Sequence, residues 1–136
     1  MLSLSVISPE KTVLETQSTS VTVPTSTGLI TILPSHAPLF SILQKGEVIV
    51  RAQDQQPTSI VVSDGFIGVY NNKVTLLTEF GIHSDELNEA VILEAKERAE
   101  KTMAERKDEQ EYAKAEAELM KALLQLKFVT RKKNPS

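Results

Sequence analysis

The sequence predicts an α+β protein in which an N-terminal antiparallel β-sandwich is followed by a C-terminal αα-hairpin. Two observations predict this division. All five glycines lie at or before Gly81, and five of the six prolines lie before Phe66, so the turn-forming residues are confined to the first part. Residues 85–136 carry 23 charged side chains, whereas residues 1–84 carry only 10. We therefore predict a β-sandwich domain at 1–84 and a mobile helical hairpin at 85–136.

About nine short segments of the first part are typical of strands. Leu2, Leu4 and Val6 alternate with serines, which indicates a half-buried strand. Further apolar or β-branched runs, bounded by turn residues, lie at 12–16, 18–23, 29–33, 39–43, 47–52, 58–63, 66–70 and 73–77. Asn71-Asn72 suits a two-residue hairpin turn because asparagine tolerates positive φ. This near-regular spacing favours an antiparallel sandwich or a flattened barrel.

Two other features of the first part have a predicted place in the fold. Pro34 and Pro38 fix φ on either side of His36, so a rigid loop is expected there. His83 is interpreted as a residue of the linker that joins the two parts. We therefore expect His36 to lie on a surface or at an interface.

The second part begins with a helix-start signal at Ser84, whose hydroxyl would cap the helix ahead of two acidic residues. The apolar stripe of the first helix is predicted at i+4 spacing: Leu87, Val91, Ala95, Ala99 and Met103. Asp108 would cap a second helix, with Glu111 completing a capping box. The apolar face of that helix is predicted to be Tyr112, Ala115, Leu119, Leu123 or Ala122, and Leu126.

The predicted hairpin faces are rich in alanine, and this determines their expected stability. The alanines concerned are Ala90, Ala95, Ala99, Ala113, Ala115, Ala117 and Ala122. Since alanine buries little apolar area, the hairpin gains little free energy from burial at about 25 cal/mol per Å². We therefore expect an element that can detach and pack against another partner.

Composition excludes several classes of function. The net charge of −3 does not indicate a nucleic-acid partner. There is no cysteine, and the two histidines are not in metal-ligand spacing, so neither a metal nor another cofactor is expected. No apolar run approaches the ~18 residues of a membrane span. The N-terminus lacks a signal or transit pattern, so the chain is expected to stay where it is made. No set of residues predicts catalysis.

Three stretches of the sequence together resemble the epsilon subunit of F-type ATP synthases, of the bacterial type. The first is 28–39, Gly-Leu-Ile-Thr-Ile-Leu-Pro-Ser-His-Ala-Pro-Leu, which is similar to the family's signature loop. The second is Ser-Asp-Gly-Phe at 63–66 with the segment 72–77, similar to its last sandwich hairpin. The third is 111–127, similar to its second C-terminal helix. The resemblance covers nearly the whole chain in the same order.

The resemblance implies a non-catalytic role in the central stalk of a proton- or sodium-driven ATP synthase. The sandwich would bind the gamma subunit and the c-subunit ring, and the loop at 28–38 would lie at the ring-facing end. The implied c-ring and gamma interface consists of Gly28, Leu29, Pro34, Ser35, His36 and Pro38. The chain would be a peripheral membrane protein at the cytoplasmic face of the bacterial cell membrane, bound through the complex.

The resemblance also implies that the hairpin can extend along gamma toward the alpha and beta catalytic subunits and inhibit ATP hydrolysis. The implied hairpin contacts are Arg98, Lys121, Lys127, Arg131, Lys132 and Lys133. The basic side chains at the C-terminal end would pair with acidic surface on the catalytic subunits.

Two alternatives concern the hairpin. Several bacterial members bind ATP there through a Leu/Ile-Asp-x-x-Arg-Ala motif, whose matching residues here are Leu87, Asn88 and Val91. Asparagine replaces the acid, and Val91 has no donor for a phosphate, so the motif is degenerate and ATP sensing is disfavoured. In the second alternative the hairpin is purely structural and never inhibits.

Overall fold

The computed structural model describes the backbone of residues 1–133 and the side chains of residues 1–129. Ten strands come first in the described chain: β1 Leu2–Ile7, β2 Thr12–Ser18, β3 Ser20–Thr25, β4 Gly28–Ile32, β5 Leu39–Leu43, β6 Gly46–Arg51, β7 Thr58–Val62, β8 Gly65–Tyr70, β9 Lys73–Thr78 and β10 Gly81–His83. A 3₁₀ turn at Ser84–Glu86 follows, and then the helices α1 (Glu89–Glu105) and α2 (Glu109–Lys133). The predicted α+β class is confirmed, and β10 is the strand that the sequence pattern missed.

The strands form two layers that one residue pair connects. The hydrogen-bonded order is β10-β7-β6-β3-β5-β8-β9-β1-β2, with β4 on the free side of β3. β3 and β5 meet only at Thr25 and Leu43, so the path divides there into two layers of five strands. In the second layer β1 lies between β2, its antiparallel neighbour, and β9, which runs parallel to it.

The last strand, β10, lies beside β2, so the two ends of the hydrogen-bonded strand order are neighbours in space. The His83 Nε2 donates a hydrogen bond to the Val13 carbonyl oxygen at 3.1 Å, and His83 itself pairs with Ile60 of β7. The interpretation of His83 as a linker residue is therefore wrong. Its ring nitrogen satisfies a carbonyl that an edge strand would otherwise leave to water.

The sandwich core consists of aliphatic side chains from alternate positions of nearly every strand. The buried core residues are Leu2, Leu4, Val6, Val21, Val23, Ile32, Leu43, Val48, Val50, Ile60, Val62, Ile67, Val69, Val74 and Leu76. Each such side chain contributes about 1.5–3 kcal/mol when it is fully removed from water. The core therefore holds this unit, Met1–Asp85, together by itself.

The second unit begins at Glu86. Its first helix, α1, is capped by a different residue from the one predicted. Asn88 is the N-cap of α1, and its Oδ1 accepts a hydrogen bond from the Val91 backbone N–H at 3.2 Å. The predicted Ser84 cap is wrong, because the Ser84 hydroxyl donates to Ser59 Oγ at 2.7 Å instead. The predicted Asp108 cap of α2 is confirmed: its Oδ1 accepts from the Gln110 N–H at 2.8 Å.

The hairpin buries a smaller core than the sandwich does. In its described part, Ile92, Ala122 and Val129 form a buried cluster against which Leu87 and Leu126 pack. Ala99, Ala115 and Phe128 are buried as well. The predicted stripe is wrong at Val91, which is 60% exposed, while its neighbour Ile92 is buried. A run of i+4 steps drifts around a helix by about 40° per step, so a real contact line alternates i+3 and i+4. Three alanines predicted on the apolar faces are exposed: Ala90, Ala113 and Ala117.

Candidate functional site

The candidate site of this chain is a set of surfaces. In the described part of the chain, no group of three or more His, Asp or Glu side chains could hold a metal ion. None of the described helices is long and apolar enough to cross a bilayer.

Four exposed apolar side chains form a row on the outer face of the second layer. They belong to four neighbouring strands and lie in register, Ile42 opposite Phe66, Phe66 opposite Leu77, and Leu77 beside Ile7. Between 36% and 52% of each residue is exposed. We call this row, Ile7, Leu77, Phe66 and Ile42, the apolar ridge.

The surroundings of the apolar ridge make it stand out from the sheet. Phe40 extends it, because its ring stacks on that of Phe66 with centroids 5.6 Å apart and an interplanar angle of 18°. Phe40 belongs to the next row across the strands, opposite Gly68. The other members of that row, Gly68, Thr75 and Ser5, are small, and a Cβ at Gly68 would meet nothing within 4 Å. An open groove of about 570 Å³ runs along the other side of the ridge. Such a contiguous exposed apolar surface is typical of a protein interaction site.

A second surface is the proline-bounded loop at 33–38, which connects β4 to β5. The His36 N–H donates to the Leu33 carbonyl oxygen at 3.1 Å, which closes a four-residue turn. Pro34 is the second residue of this turn, and Ser35 is the third with φ of 67°. A positive φ at the third position is the mark of a type II turn. The Leu33 side chain is 55% exposed, so the loop presents an apolar residue to solvent.

The turn between β8 and β9 reaches this loop. Asn71 and Asn72 have φ of 49° and 61°, so the predicted two-residue hairpin turn is confirmed. The Asn72 Oδ1 accepts a hydrogen bond from the Ser35 N–H at 2.6 Å, and the Asn72 carbonyl oxygen accepts from the Ser3 N–H at 2.8 Å. One residue therefore ties the loop and the start of β1 to the same end of the sandwich.

The structure separates the six residues predicted for the c-ring and gamma interface into two groups. The single loop that the resemblance implies at 28–38 is wrong, because Gly28–Ile32 is strand β4, in agreement with the strand predicted at 29–33. Gly28 and Leu29 begin the strand, whereas Pro34, Ser35, His36 and Pro38 follow its far end. The strand between them spans about 13 Å. Only the four loop residues lie together.

The residues predicted to act on the hairpin are spread along it. Arg98, Lys121 and Lys127 have exposed side chains. The side chains of Arg131, Lys132 and Lys133 lie outside the described residues. Of the degenerate motif, Leu87 packs against the hairpin core, and Asn88 is occupied as the helix cap. Leu87 and Asn88 therefore have structural roles, and Val91 presents an exposed aliphatic side chain.

Sequence reasoning missed the apolar ridge, although a signal for it exists. Each ridge residue is one of two consecutive apolar residues in a strand: Val6-Ile7, Ile42-Leu43, Phe66-Ile67 and Leu76-Leu77. Because neighbouring side chains of a strand point to opposite faces, only one residue of each pair can enter the core. The other must lie outside, and the strand order places all four in one row.

Comparison with known families gives two matches in chain order. Residues 1–84 match the family described as ATP synthase, Delta/Epsilon chain, beta-sandwich domain. Residues 85–129 match the one described as ATP synthase, Delta/Epsilon chain, long alpha-helix domain.

Curated relatives and solved structures agree with these matches. The chain is 38% identical over 122 residues to ATP synthase epsilon chain 1 of Methylococcus capsulatus, covering 90% of this chain and 87% of that protein. It is 36% identical over 126 residues to the ATP synthase epsilon chain of Moorella thermoacetica, covering 93% and 94%. Among solved structures, a chain of the Euglena gracilis mitochondrial ATP synthase (OSCP/F1/c-ring) has a TM-score of 0.62 at 21% identity, covering 90% of this chain and 78% of that one. This last likeness shows the fold alone.

Proposed function

The chain belongs to the ATP synthase delta/epsilon family, and from that premise we propose that it is the epsilon subunit that couples gamma to the c-ring in the central stalk of a rotary ATP synthase. Both family domains match in order, and the matched relatives carry the epsilon-chain name over most of their length. The subunit is a stalk component and not itself catalytic. The observation that carries the proposal furthest is the apolar ridge.

The apolar ridge is the surface that we assign to gamma. Four apolar side chains in register, with Phe40 stacked at one end, give a continuous face that water solvates poorly. A stable interface needs about 800 Å² per partner, with apolar and aromatic anchors at its centre. The ridge with its groove supplies such a centre. A rigid sandwich is a suitable base for it, because torque must pass through the contact without bending it.

The ridge assignment is tested by placing a charge on it. Leu77→Asp puts a carboxylate at the centre of the row, where docking would bury it without a partner, so affinity for ATP synthase depleted of epsilon should fall by at least about tenfold. Leu29→Asp is the matched comparison, because Leu29 is also an exposed leucine, 72% exposed, but lies on β4 in the other layer. If Leu29→Asp lowers the affinity as much as Leu77→Asp or more, the gamma contact lies at the segment 28–38 predicted from the sequence and not at the ridge.

The loop at 33–38 is the surface that we assign to the c-ring. No charged residue occurs between Glu15 and Lys45, so the loop and both flanking strands are uncharged. An uncharged, proline-stiffened loop with an exposed leucine suits contact near a membrane, where charges are costly to desolvate. Pro34, Ser35, His36 and Pro38 are its proposed contact residues, whereas Gly28 and Leu29, at the opposite end of β4, lie outside this proposed contact.

The hairpin is proposed to inhibit ATP hydrolysis when it leaves its folded form and reaches the alpha and beta subunits. Its small core, in which three of the buried side chains are alanines, keeps the free-energy cost of that exchange low. Lys127 and the basic residues Arg131, Lys132 and Lys133 are the proposed partners for acidic catalytic-subunit surface, by charge complementarity.

The inhibitory role is tested by comparing the full chain with residues 1–85 in ATP hydrolysis by the cognate complex. The truncated form keeps the complete sandwich core, so it should still bind. We expect faster hydrolysis with the truncated form. Equal rates with both forms bound would favour the alternative of a purely structural hairpin.

The ATP-sensing alternative has little support from the hairpin. The Asn88 amide oxygen is already engaged by the Val91 N–H, and Val91 presents only methyl groups to solvent. A nucleotide site needs donors for phosphate and base edges, which Val91 does not have. Titration of the full chain with ATP is expected to show no binding at millimolar concentration, and binding there would revive this alternative.

The proposed location follows from the proposed partners. A subunit held between gamma and the c-ring is peripheral to the membrane, and we propose the cytoplasmic face of the bacterial cell membrane. The ion that drives the ring would be a proton or sodium.

A further inference from the structure

We propose that the Asn72 side chain selects the peptide orientation of the turn at 33–36 and thereby presets the loop at 33–38 for docking. The docking part rests on the proposed contact with the c-ring, whereas the conformational part does not. Asn72 would thus be a positioning residue, acting through Ser35 on the surface that the loop presents.

The type of the turn at 33–36 depends on the orientation of its central peptide. Type I and type II turns differ by a flip of the central peptide, which here joins Pro34 to Ser35. The N–H of that peptide is the Ser35 N–H, and the Asn72 Oδ1 accepts its hydrogen bond at 2.6 Å. In the flipped type I turn the same N–H would point to the opposite side and lose Asn72. The contact therefore favours one of the two turns directly.

The turn's own sequence does not select the type II turn over type I. Proline at the second position is favoured in both turn types. The third position of a type II turn has positive φ, which glycine or asparagine accepts readily and serine does not. Ser35 nevertheless has φ of 67°. A residue of ordinary preference is held in the left-handed region, so a contact from outside the turn has to stabilise it.

Asn72 is itself held in place by the turn between β8 and β9 and by β1. It is the second residue of the two-residue turn between β8 and β9, and its carbonyl oxygen accepts from the Ser3 N–H of β1. The acceptor for Ser35 is therefore fixed by three strands of the second layer. Both residues are exposed, so the hydrogen bond adds little to global stability. Its effect is on which turn the loop adopts, and hence on how Leu33 and His36 are presented.

The experiment uses the full chain and three variants. Asn72→Gly keeps the positive φ that the hairpin turn requires but removes the acceptor. Asn71→Gly is the matched control, because it makes the same change one residue earlier in the same turn, at a positive φ of 49°, and leaves the acceptor in place. Asn72→Gly combined with Ser35→Gly is the rescue, since glycine at the third position favours type II without help.

Two readouts separate the two parts of the proposal. The nuclear Overhauser effect between the Pro34 Hα and the Ser35 amide proton is strong in a type II turn and weak in type I. Affinity for ATP synthase depleted of epsilon reports docking. We expect Asn72→Gly to weaken the Overhauser effect and to lower affinity by about fivefold, the change that corresponds to one neutral hydrogen bond. Asn71→Gly should change neither readout, and the double variant should restore both.

Each other outcome overturns a stated part. If Asn72→Gly keeps the strong Overhauser effect, Asn72 does not select the turn, whatever the affinity. If the turn flips and the affinity is unchanged, the loop's docking role fails while the conformational role of Asn72 stands. If affinity falls in Asn72→Gly and the double variant does not recover it, Asn72 acts by contacting the partner itself and the positioning role is wrong.

Discussion

The sandwich and the hairpin of this chain are stabilised in different ways. The sandwich core has fifteen buried side chains, all leucine, isoleucine or valine, drawn from most of its strands. Among its described residues the hairpin buries six hydrophobic side chains, three of them alanine. The sandwich is held by contacts between residues far apart in sequence, whereas each helix of the hairpin forms by local hydrogen bonds.

Because of this difference, the hairpin can change shape at a lower free-energy cost than the sandwich. Free energy from burial scales with the apolar area removed from water, so opening the hairpin costs less free energy than opening the sandwich. The sandwich is therefore suited to rigid binding, and the hairpin is suited to a regulatory change of conformation.

The largest effect is expected at Gly65, at the start of β8. A Cβ there would overlap the Leu77 carbonyl oxygen, which is backbone of β9 and cannot move aside alone. Gly65→Ala should destabilise the sandwich by about 3 kcal/mol or more. Gly68→Ala, on the same strand, has open space around the added methyl and should change stability by no more than about 0.5 kcal/mol. Urea unfolding of the full chain measures both, and similar midpoints for the two variants would contradict the rigid pairing of β8 and β9.

The same substitution in the two cores compares them directly. Ile67 is fully buried in the sandwich, so Ile67→Ala should cost about 4 kcal/mol, through lost burial and the cavity left behind. Ile92 is buried in the hairpin, where two helices can settle together around the gap, so Ile92→Ala should cost about 2 kcal/mol.

Amide hydrogen exchange followed separately in each unit is the measurement for these isoleucine variants. Ile92→Ala should speed exchange in α1 and α2 and leave the sandwich strands unchanged. If Ile92→Ala instead speeds exchange throughout the sandwich, the two units unfold together and the contrast between them is wrong.

A smaller effect is expected at the cap of α1. Asn88→Ala removes the acceptor for the Val91 N–H and should destabilise the hairpin by about 1 kcal/mol. Asn88→Asp keeps an acceptor and adds negative charge at the helix N-terminus, so it should be neutral or slightly stabilising. Helicity by circular dichroism during thermal unfolding distinguishes them. Equal loss from both variants would mean that the amide, rather than an acceptor oxygen, matters at this position.

The smallest effect is expected from the charged surface of the hairpin. Lys96 Nζ lies 3.4 Å from Glu100 Oε1, one turn later on α1, and both side chains are partly exposed. Such pairs contribute about 0.3–0.5 kcal/mol and are screened by salt. Lys96→Gln should therefore shift the hairpin's thermal midpoint slightly at low salt and not at all at high salt. A shift that persists at high salt would show that the aliphatic part of Lys96, and not its charge, stabilises the helix.

Local sequence signals predicted the local features of this structure well. The Asn71-Asn72 turn and the Asp108 cap were both predicted, because each depends on the preferences of one or two residues and no distant contact competes. The predicted Ser84 cap was wrong, since a hydroxyl on β7 offered Ser84 another partner. A tertiary contact of that kind leaves no local pattern in the sequence.

The candidate site was harder to predict than the fold. The loop residues Pro34 and Pro38 are visible in the sequence because proline constrains the backbone wherever it occurs. The apolar ridge depends on four strands being neighbours in a particular order and register, and that order is set by long-range pairing such as β1 with β9. The hydrogen bond from Ser35 to Asn72 joins residues 37 positions apart and could not be inferred from either segment.

The parallel pairing of β1 with β9 has a consequence for the chain as it leaves the ribosome. β1 ends at Ile7 and its partner β9 ends at Thr78, so more than half of the 136 residues must be translated before β1 has both of its neighbours. Until then Leu2, Leu4 and Val6 belong to a two-stranded ribbon with one unpaired edge. Isolated ribbons of two strands are marginal in water, and an unpaired apolar edge readily joins another chain. Chains that stop before Thr78 should therefore aggregate, whereas chains that stop after His83 should fold.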